Sequence, residues 1–277
     1  MNAKHHNNIR NIFNKNTTKL KSLEPIYQEI GSRMIDRFEF IKIHPKVIFD
    51  MGSGLGLDTE ILQKHFNGAQ LVSVDCAVNL LKHNNKKTTF IDKLLGKKYT
   101  YNVCGDGLQL PFLNNTCDLL WSNLTLPYMS SLDLFFAELH RVMRPDGCFM
   151  ISTLGMNSFL ELRDLNLSTY NFPDMQSIGD KLMQIGFVNP VIDRDFITLE
   201  YDNLPALLDE VKIVGCGANN YQQYITKELY NKLNTMFHTK QSLTLEVYYI
   251  HAWQPHSNKT NSNGNIIKFY PRNSDRR

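Results

Sequence analysis

Cysteine is scarce and scattered. The chain holds five, Cys76, Cys104, Cys117, Cys148 and Cys216, an odd number with no CxxC pair. That spacing excludes a disulfide framework and a cysteine zinc site, and it points to a reducing compartment, so a cytoplasmic location is expected. Long apolar runs are also missing. No stretch approaches the ~20 residues that a membrane span needs. The opening, "MNAKHHNNIRNIF", lacks the apolar core of a secretory signal. It lacks acids, as mitochondrial presequences do, but it is Asn-rich and Arg-poor. No internal repeat is found. No Ser/His/Asp set, no pair of acids and no metal-ligand spacing stands out, so no metal is expected.

Acids are missing from the ends. Residues 1–22 carry five Lys/Arg and no acid, and residues 254–277 carry five Lys/Arg and one acid. The ends therefore hold +5 and +4, and with a whole-chain charge of +3 the body between them holds −6. A mildly acidic body argues against a nucleic-acid-binding surface spread over the fold. The basic ends read as solvated tails. Hydrophobic residues make up 42% of the 277, enough for one large core.

Three regions follow. Residues 1–20 are expected to be a flexible N-terminal segment, with Ile9, Ile12 and Phe13 on one helical stripe. Residues 21–253 form the main domain. Residues 254–277, rich in Asn and Ser, read as a disordered basic tail. Within the domain, strands alternate with helices. "KVIFD", "AQLVSVD", "YTYNVCGD", "CDLLWSN" and "CFMISTL" read as strands, the last after an "RPDG" turn. "LDTEILQKHF", "AVNLLKHNN" and "SLDLFFAELHRVM" read as helices between them. Later come a helix ending at Gly186, two strands "NPVID" and "FITLEY", two helices, and a long strand "LTLEVYYIHAW". Such alternation predicts an α/β, Rossmann-like doubly wound sheet, mostly parallel, with an antiparallel member near the end. Ligands then belong beyond the carboxyl ends of the strands.

Three glycines follow the first strand at every second position in "VIFDMGSGLGLDTEIL": Gly52, Gly54 and Gly56. A dinucleotide fingerprint, G-x-G-x-x-G, would need its third glycine at Leu57. Either pattern alone also fits a tight strand-to-helix turn. Two further acids end successive strands. Asp75 closes "LVSVD", where a carboxylate can accept from vicinal ribose hydroxyls or cap the next helix. Asp106, beside Gly107 in "CGDGLQLPF", can accept from an adenine amino group or simply serve a turn.

With those motifs in place, "FDMGSGLG", "SVDCA", "CGDGLQLPF" and "CDLLWSNLTLPY" resemble the successive motifs of class I S-adenosylmethionine-dependent methyltransferases. The resemblance implies a seven-stranded sheet with a reversed last strand and S-adenosyl-L-methionine as cofactor. It implies that the backbone of Gly52–Gly56 approaches the methionine part and that Asp50 helps hold its ammonium side. Asp75 would take the ribose, Asp106 with Gly107 the adenine, and Ser122 and Asn123 would face the methionine end. The stretch from "LPFLNNTCDLLWSN" through "CFMISTLG", with "LPALLDEVKIVGCGANN", is similar to the malonyl-acyl-carrier-protein O-methyltransferase family of biotin synthesis. That likeness implies an acyl carrier protein bearing a malonyl thioester as partner. "QEIGSRMIDR" and "NSFLELRDL" are shared in style with a mitochondrial complex I assembly factor described as a protein-arginine hydroxylase. A third alternative on the same fold is a cofactor-binding scaffold without catalysis.

Methyl transfer from a sulfonium is an in-line displacement that needs alignment and exclusion of water. A carboxylate acceptor is already nucleophilic and needs no general base. Catalytic residues in that sense are not assigned. A cation is needed to hold the acceptor; Arg33, Arg163 and Lys212 are candidates, with solvated or salt-bridged surface residues as the alternative. Tyr27 and Tyr128 are candidate walls of the pocket, with core packing as the alternative. The glycine-rich segment Gly215–Asn220 is expected to line a cleft. His140, inside "FFAELHRVM", is expected on a helix rather than in catalysis.

Overall fold

Residues buried on both faces of a sheet give strands with continuous apolar runs, and successive side chains point to opposite sides. The computed structural model, which describes residues 3–84, 100–165, 172–211, 226–239 and 242–256, follows that rule. In β1 (Val47–Met51), Ile48 enters one core while Phe49 and Met51 enter the other. In β4 (Cys117–Ser122), Leu119 and Trp121 face the first core and Leu120 the second, and the irregularity before Leu119 turns Cys117 to the second as well. The other strands are β2 (Gln70–Asp75), β3 (Thr100–Cys104), β5 (Met143–Leu154), β6 (Val188–Glu200) and β7 (Ser242–Trp253).

The seven strands run in the order β3-β2-β1-β4-β5-β7-β6. All neighbours are parallel except at β7, which is antiparallel to both β5 and β6. The expected single reversed member is therefore β7. The chain moves outward from β1 in one direction and then returns to add β4 on its other side. That reversal opens a crevice beyond the carboxyl ends of β1 and β4.

Helices cover both faces. On the first side lie α3 (Glu24–Asp36), α4 (Leu57–His65) and α5 (Val78–His83), contributing Ile30, Met34, Leu62 and Leu80 to the core. On the second lie α6 (Leu132–Val142) and α7 (Met175–Ile185), contributing Phe135, Phe136, Leu139, Ile178 and Leu182. Full burial of side chains of this size stabilises the fold by about 1.5–3 kcal/mol each. Two caps set α6 and α7: Ser131 accepts from the Leu134 N–H, and Asp174 from the Ser177 N–H. Gly186, with φ +111, ends α7 where the sequence places it. Further helices are α8 (Leu204–Glu210) and α9 (Lys227–Thr239).

Several expectations change. The two strands "NPVID" and "FITLEY" are one strand, β6, because its whole length pairs with β7 from Glu200 to Val188 across a single irregularity. The "RPDG" turn lies within β5, as a bend with Asp146 at φ +62 and a register shift against β4. In the segment 1–20, expected to be flexible, the described residues are helical as α1 (Ala3–Lys15) and the start of α2 (Thr17–Ser22). Their few apolar residues suffice: Ile9 and Leu20 are buried. At the other end the domain runs past Trp253. Gln254 is buried, its N–H donating to Gly147 and its carbonyl accepting from Asp146. The rest of the tail from 257, with Lys212 and Gly215–Asn220, lies outside the described residues. Among the described residues, no helix is long and apolar enough to cross a membrane.

Candidate functional site

The turn after β1 is stitched to β2. The N–H groups of Gly52 and Ser53 both donate to the Val74 carbonyl, at 2.8 and 3.1 Å. Gly52 sits at φ +71 and Gly54 at φ +52, the left-handed region that side chains disfavour. A Cβ on Gly52 would also stand 2.7 Å from Thr125 Cγ2 and 2.9 Å from Thr125 Cβ. The chain leaving β4 therefore packs directly on the turn. The Gly54 N–H donates to Asp75 Oδ2 at 2.9 Å, tying the turn to the end of β2. Gly56 serves the helix instead, as the left-handed residue that starts α4.

Beyond these strand ends lies a cavity of about 340 Å³, within the usual range for a small-molecule site. The glycine turn, Asp75, and the segments around Gly107 and Asn123 form its floor. Ile9 and Phe13 of α1, Leu20 of α2 and Tyr27 of α3 complete the wall. Phe13 meets Tyr128 edge-on with ring centres 4.9 Å apart, so α1 closes over the chain that follows β4.

The wall carries three acids, Asp58, Asp75 and Asp106, and among the described residues it carries no Lys, Arg or His. Asp75 is 8% exposed. Its Oδ1 accepts from the Ala77 N–H at 2.8 Å and its Oδ2 from Gly54. It is not the cap of α5, which begins after Ala77 without a side-chain cap. Burial raises its pKa, and the N–H groups of Ala77, Gly54 and Cys76 oppose that shift. Asp106 Oδ1 accepts from the Leu108 N–H at 2.9 Å, so the acid that faces the cavity also builds its own turn. Asp58 sits in the first turn of α4, 8% exposed, its pKa pushed up to about 6 by burial.

Of the residues singled out from sequence, the fold brings Gly52, Gly54, Asp75, Asp106, Gly107, Asn123, Tyr27 and Tyr128 to this cavity. Asn123 spends its amide on the framework: Nδ2 donates to the Tyr27 carbonyl at 2.9 Å, and Oδ1 accepts from Ser152 Oγ at 2.7 Å. Asp50 does not reach the wall. It is 1% exposed and accepts from Thr59 Oγ1 at 2.7 Å. Burial, with Asp58 and then Asp75 adding to it, holds its carboxyl well above the usual carboxylate range. Ser122 is fully buried beneath the site. Arg33 is elsewhere, paired with Glu29 at 2.8 Å and with Asp195 on β6. Arg37 beside it pairs with Asp193 at 2.6 Å and covers the Tyr249 ring. Arg163 falls in the helical turn Leu160–Leu165 that follows β5. His140 packs on Phe187 from α6, away from the cavity.

Sequence reasoning missed Asp58, Thr125 and the roof formed by α1. Asp58 was visible only as an acid near a helix start, a common stabilising position. The roof was signalled by the Ile9/Ile12/Phe13 stripe, but polar composition outweighed it. Among the described residues, no cluster of His, Cys, Asp and Glu is arranged to hold a metal ion.

The donor set fits S-adenosylmethionine. The cofactor carries two cations, a sulfonium and an ammonium, and the wall offers buried acids without a basic residue. Asp58 Oδ1 is a buried acceptor that no described group satisfies. The comparisons agree with this geometry. Residues 49–151 match a methyltransferase domain family. YcgJ from Bacillus subtilis superposes over 82% of this chain and 99% of its own, with a TM-score of 0.59 and 12% identity, which speaks for the fold. A malonyl-[acyl-carrier protein] O-methyltransferase from Gallionella capsiferriformans is 32% identical over 94% of both chains. One from Legionella pneumophila is 31% identical over 90% of both. An α/β sheet in this order, a glycine turn at its switch point and kinship over nearly the full length place the chain in the malonyl-[acyl-carrier protein] O-methyltransferase family of S-adenosylmethionine-dependent methyltransferases.

Proposed function

We propose that this chain methylates the free carboxylate of a malonyl thioester carried on acyl carrier protein, an early step of biotin synthesis, in the cytoplasm. The observation that carries the reading is the 32% identity to such an enzyme over 94% of both chains. The acid-lined cavity at the switch point supports it. The assembly-factor and scaffold alternatives draw no support from these relatives.

When bound, S-adenosylmethionine supplies a methyl group made electrophilic by its sulfonium. The chain's own residues bind, orient and exclude water. Asp75 keeps lone pairs beyond its two backbone bonds, and these suit vicinal ribose hydroxyls. Asp106 and the Gly107 segment suit the adenine. The turn at Gly52–Gly54 brings backbone close to the methionine part. Ile9 and Phe13 of α1 and the rings of Tyr27 and Tyr128 keep the reacting end dry, which strengthens every electrostatic contact there. A malonyl carboxylate needs no base, but it needs a cation. Arg33 is committed to Glu29 and Asp195. We assign that role to Arg163, whose turn follows the carboxyl end of β5, the same end of the sheet as the cavity.

Purified protein, labelled S-adenosylmethionine and malonyl-acyl carrier protein give the test. Methyl transfer is expected with malonyl and not with acetyl carrier protein, which lacks the free carboxyl. Equal labelling of both, or of neither, defeats the reading. Arg163→Ala is expected to raise KM for the malonyl substrate about tenfold, the scale of one charge-assisted contact, with cofactor affinity unchanged. A fall in cofactor affinity with unaltered KM would remove Arg163 from the acceptor side.

A further inference from the structure

One charge in the cavity is not balanced by the fold. Asp58 stands on the wall at the start of α4, and its Oδ1 is buried with no hydrogen bond among the described residues. The indole of Trp121 and the amide of Asn123 favour its ionised form, yet neither closes a bond to Oδ1. The charged groups around it do not help. Asp50 faces it from β1 and is itself an acid. From α3, Arg33 and Glu29 pair with each other, and Arg33 also with Asp195. From β4 and the residue after it come only neutral groups, Trp121 and Asn123. Burying a carboxylate without a cation is costly.

The neighbouring helix is shaped to keep this carboxylate in place. Gly31 lies in the interior of α3, where glycine weakens a helix. A Cβ there would overlap Asp58 Oδ1 and would stand 3.4 Å from Asn123 Nδ2. The helix thus gives up a side chain at the point where the carboxylate needs room. The Asn123 amide bonds the Tyr27 carbonyl one turn earlier in α3, which fixes the helix against the site.

We propose that the Asp58 carboxylate is the counter-ion for the ammonium group of the methionine moiety of S-adenosylmethionine. This rests on the cofactor reading of the cavity. It moves to Asp58 the role that the resemblance implied for Asp50, which is turned into the core and engaged by Thr59. Asp58 is then a cofactor-binding residue and takes no part in proton transfer.

Two ligands separate this role from a structural one. S-adenosylhomocysteine carries the ammonium but no sulfonium; methylthioadenosine lacks the amino-acid part altogether. Calorimetric titration of Asp58→Asn is expected to show an affinity for S-adenosylhomocysteine lower by about 10–100-fold, the range for a charge-assisted hydrogen bond. Affinity for methylthioadenosine is expected to stay at the parent value. Equal weakening of both ligands, or no change in either, overturns the assignment. The parent protein gives a test that needs no variant. Its affinity for S-adenosylhomocysteine, relative to methylthioadenosine, should rise as the pH climbs through about 6, where Asp58 loses its proton. The ratio also cancels the titration of Asp75, which serves both ligands. A ratio flat with pH overturns the proposal. A parent that binds neither ligand defeats the cofactor reading, and this assignment with it.

Discussion

Gly52→Ala is expected to abolish measurable cofactor binding at micromolar ligand and to lower the melting temperature. Two costs act together. At φ +71 a side chain pays about 1–2 kcal/mol for the left-handed conformation. The new Cβ also meets the Thr125 side chain, with Cγ2 at 2.7 Å and Cβ at 2.9 Å. Overpacking of this kind costs about 1–3 kcal/mol. Thr125 has little freedom to retreat, because its hydroxyl lies 3.3 Å from the carbonyls of both Met51 and Asn123. Pushing it aside moves the two strand ends between which the methionine part is proposed to lie. Each 1.4 kcal/mol lost is tenfold in affinity. A second substitution dissects the two costs. Thr125→Ala in the Gly52→Ala background removes Oγ1 and Cγ2 but leaves the backbone strain and the 2.9 Å approach to Cβ, so stability should return only in part. Thermal melts and titration with S-adenosylhomocysteine give the comparison. If the single variant melts and binds like the parent, the steric account of this turn is wrong.

Asp75→Ala is expected to weaken S-adenosylmethionine binding by about 1–3 kcal/mol, or roughly 5–150-fold. The carboxylate does two jobs. It holds the Gly54 and Ala77 N–H groups at 2.9 and 2.8 Å, and its remaining lone pairs are assigned to the ribose. Removing it frees the glycine turn from β2 and deletes the ribose acceptor at once. Stability and binding should part company here. Burial raises the pKa of Asp75. A raised acid pKa means that its ionisation opposes folding above the unfolded value, increasingly as pH rises toward the folded one. Alanine removes that opposing term, which offsets part of the lost hydrogen bonding. Binding has no such compensation. Asp75→Asn keeps the shape and one acceptor but turns an N–H toward a second backbone N–H, so it should fall between alanine and the parent. Isothermal titration with methylthioadenosine is the direct check, since that ligand retains the ribose and lacks the amino acid. An alanine variant that binds methylthioadenosine as tightly as the parent rules out the ribose assignment.

The two variants act at different levels. Gly52 matters through where the backbone goes, and any side chain harms it. Asp75 matters through which atoms accept hydrogen bonds, and its effect follows the chemistry of the replacement. Asp58 belongs with Asp75. All three surround a cavity whose wall is acidic and free of cations among the described residues. Such a wall suits a ligand that brings its own positive charge.

Much of this was legible along the chain. Alternation of strands and helices predicted the doubly wound sheet, because residues buried on both faces leave apolar runs that only a covered sheet can use. Glycines at 52, 54 and 56 and acids at 75 and 106 marked strand ends, since a ligand beyond a strand needs close backbone or an acceptor there. Those signals are local, so sequence carries them. A reversed last strand was implied by the family resemblance; the hairpin expected from "NPVID" and "FITLEY" in succession does not exist, because the two are one strand, β6, which only its pairing partner reveals.

Tertiary structure decided the rest, because it depends on which way side chains turn once helices dock. Asp50 and Asp58 lie on either side of the same glycine turn, and the family resemblance implied the first. Only the docked helices show that Asp50 is sealed against Thr59 of α4 while Asp58 lies on the cavity wall beside Gly31 of α3. Arg33 could meet a substrate or form a surface salt bridge, and β6 decides for the second by bringing Asp195 to it across the fold. The segment 1–20 looked too polar to fold, but Ile9 and Phe13 gain a surface to bury against only after Tyr128 is in place. The sequence by itself determined the order of strands and helices and the ends at which a ligand would sit, through periodicity and turn chemistry. Which acids face that ligand, and which cover closes over it, came from contacts between residues far apart in the chain, where no local pattern could record them.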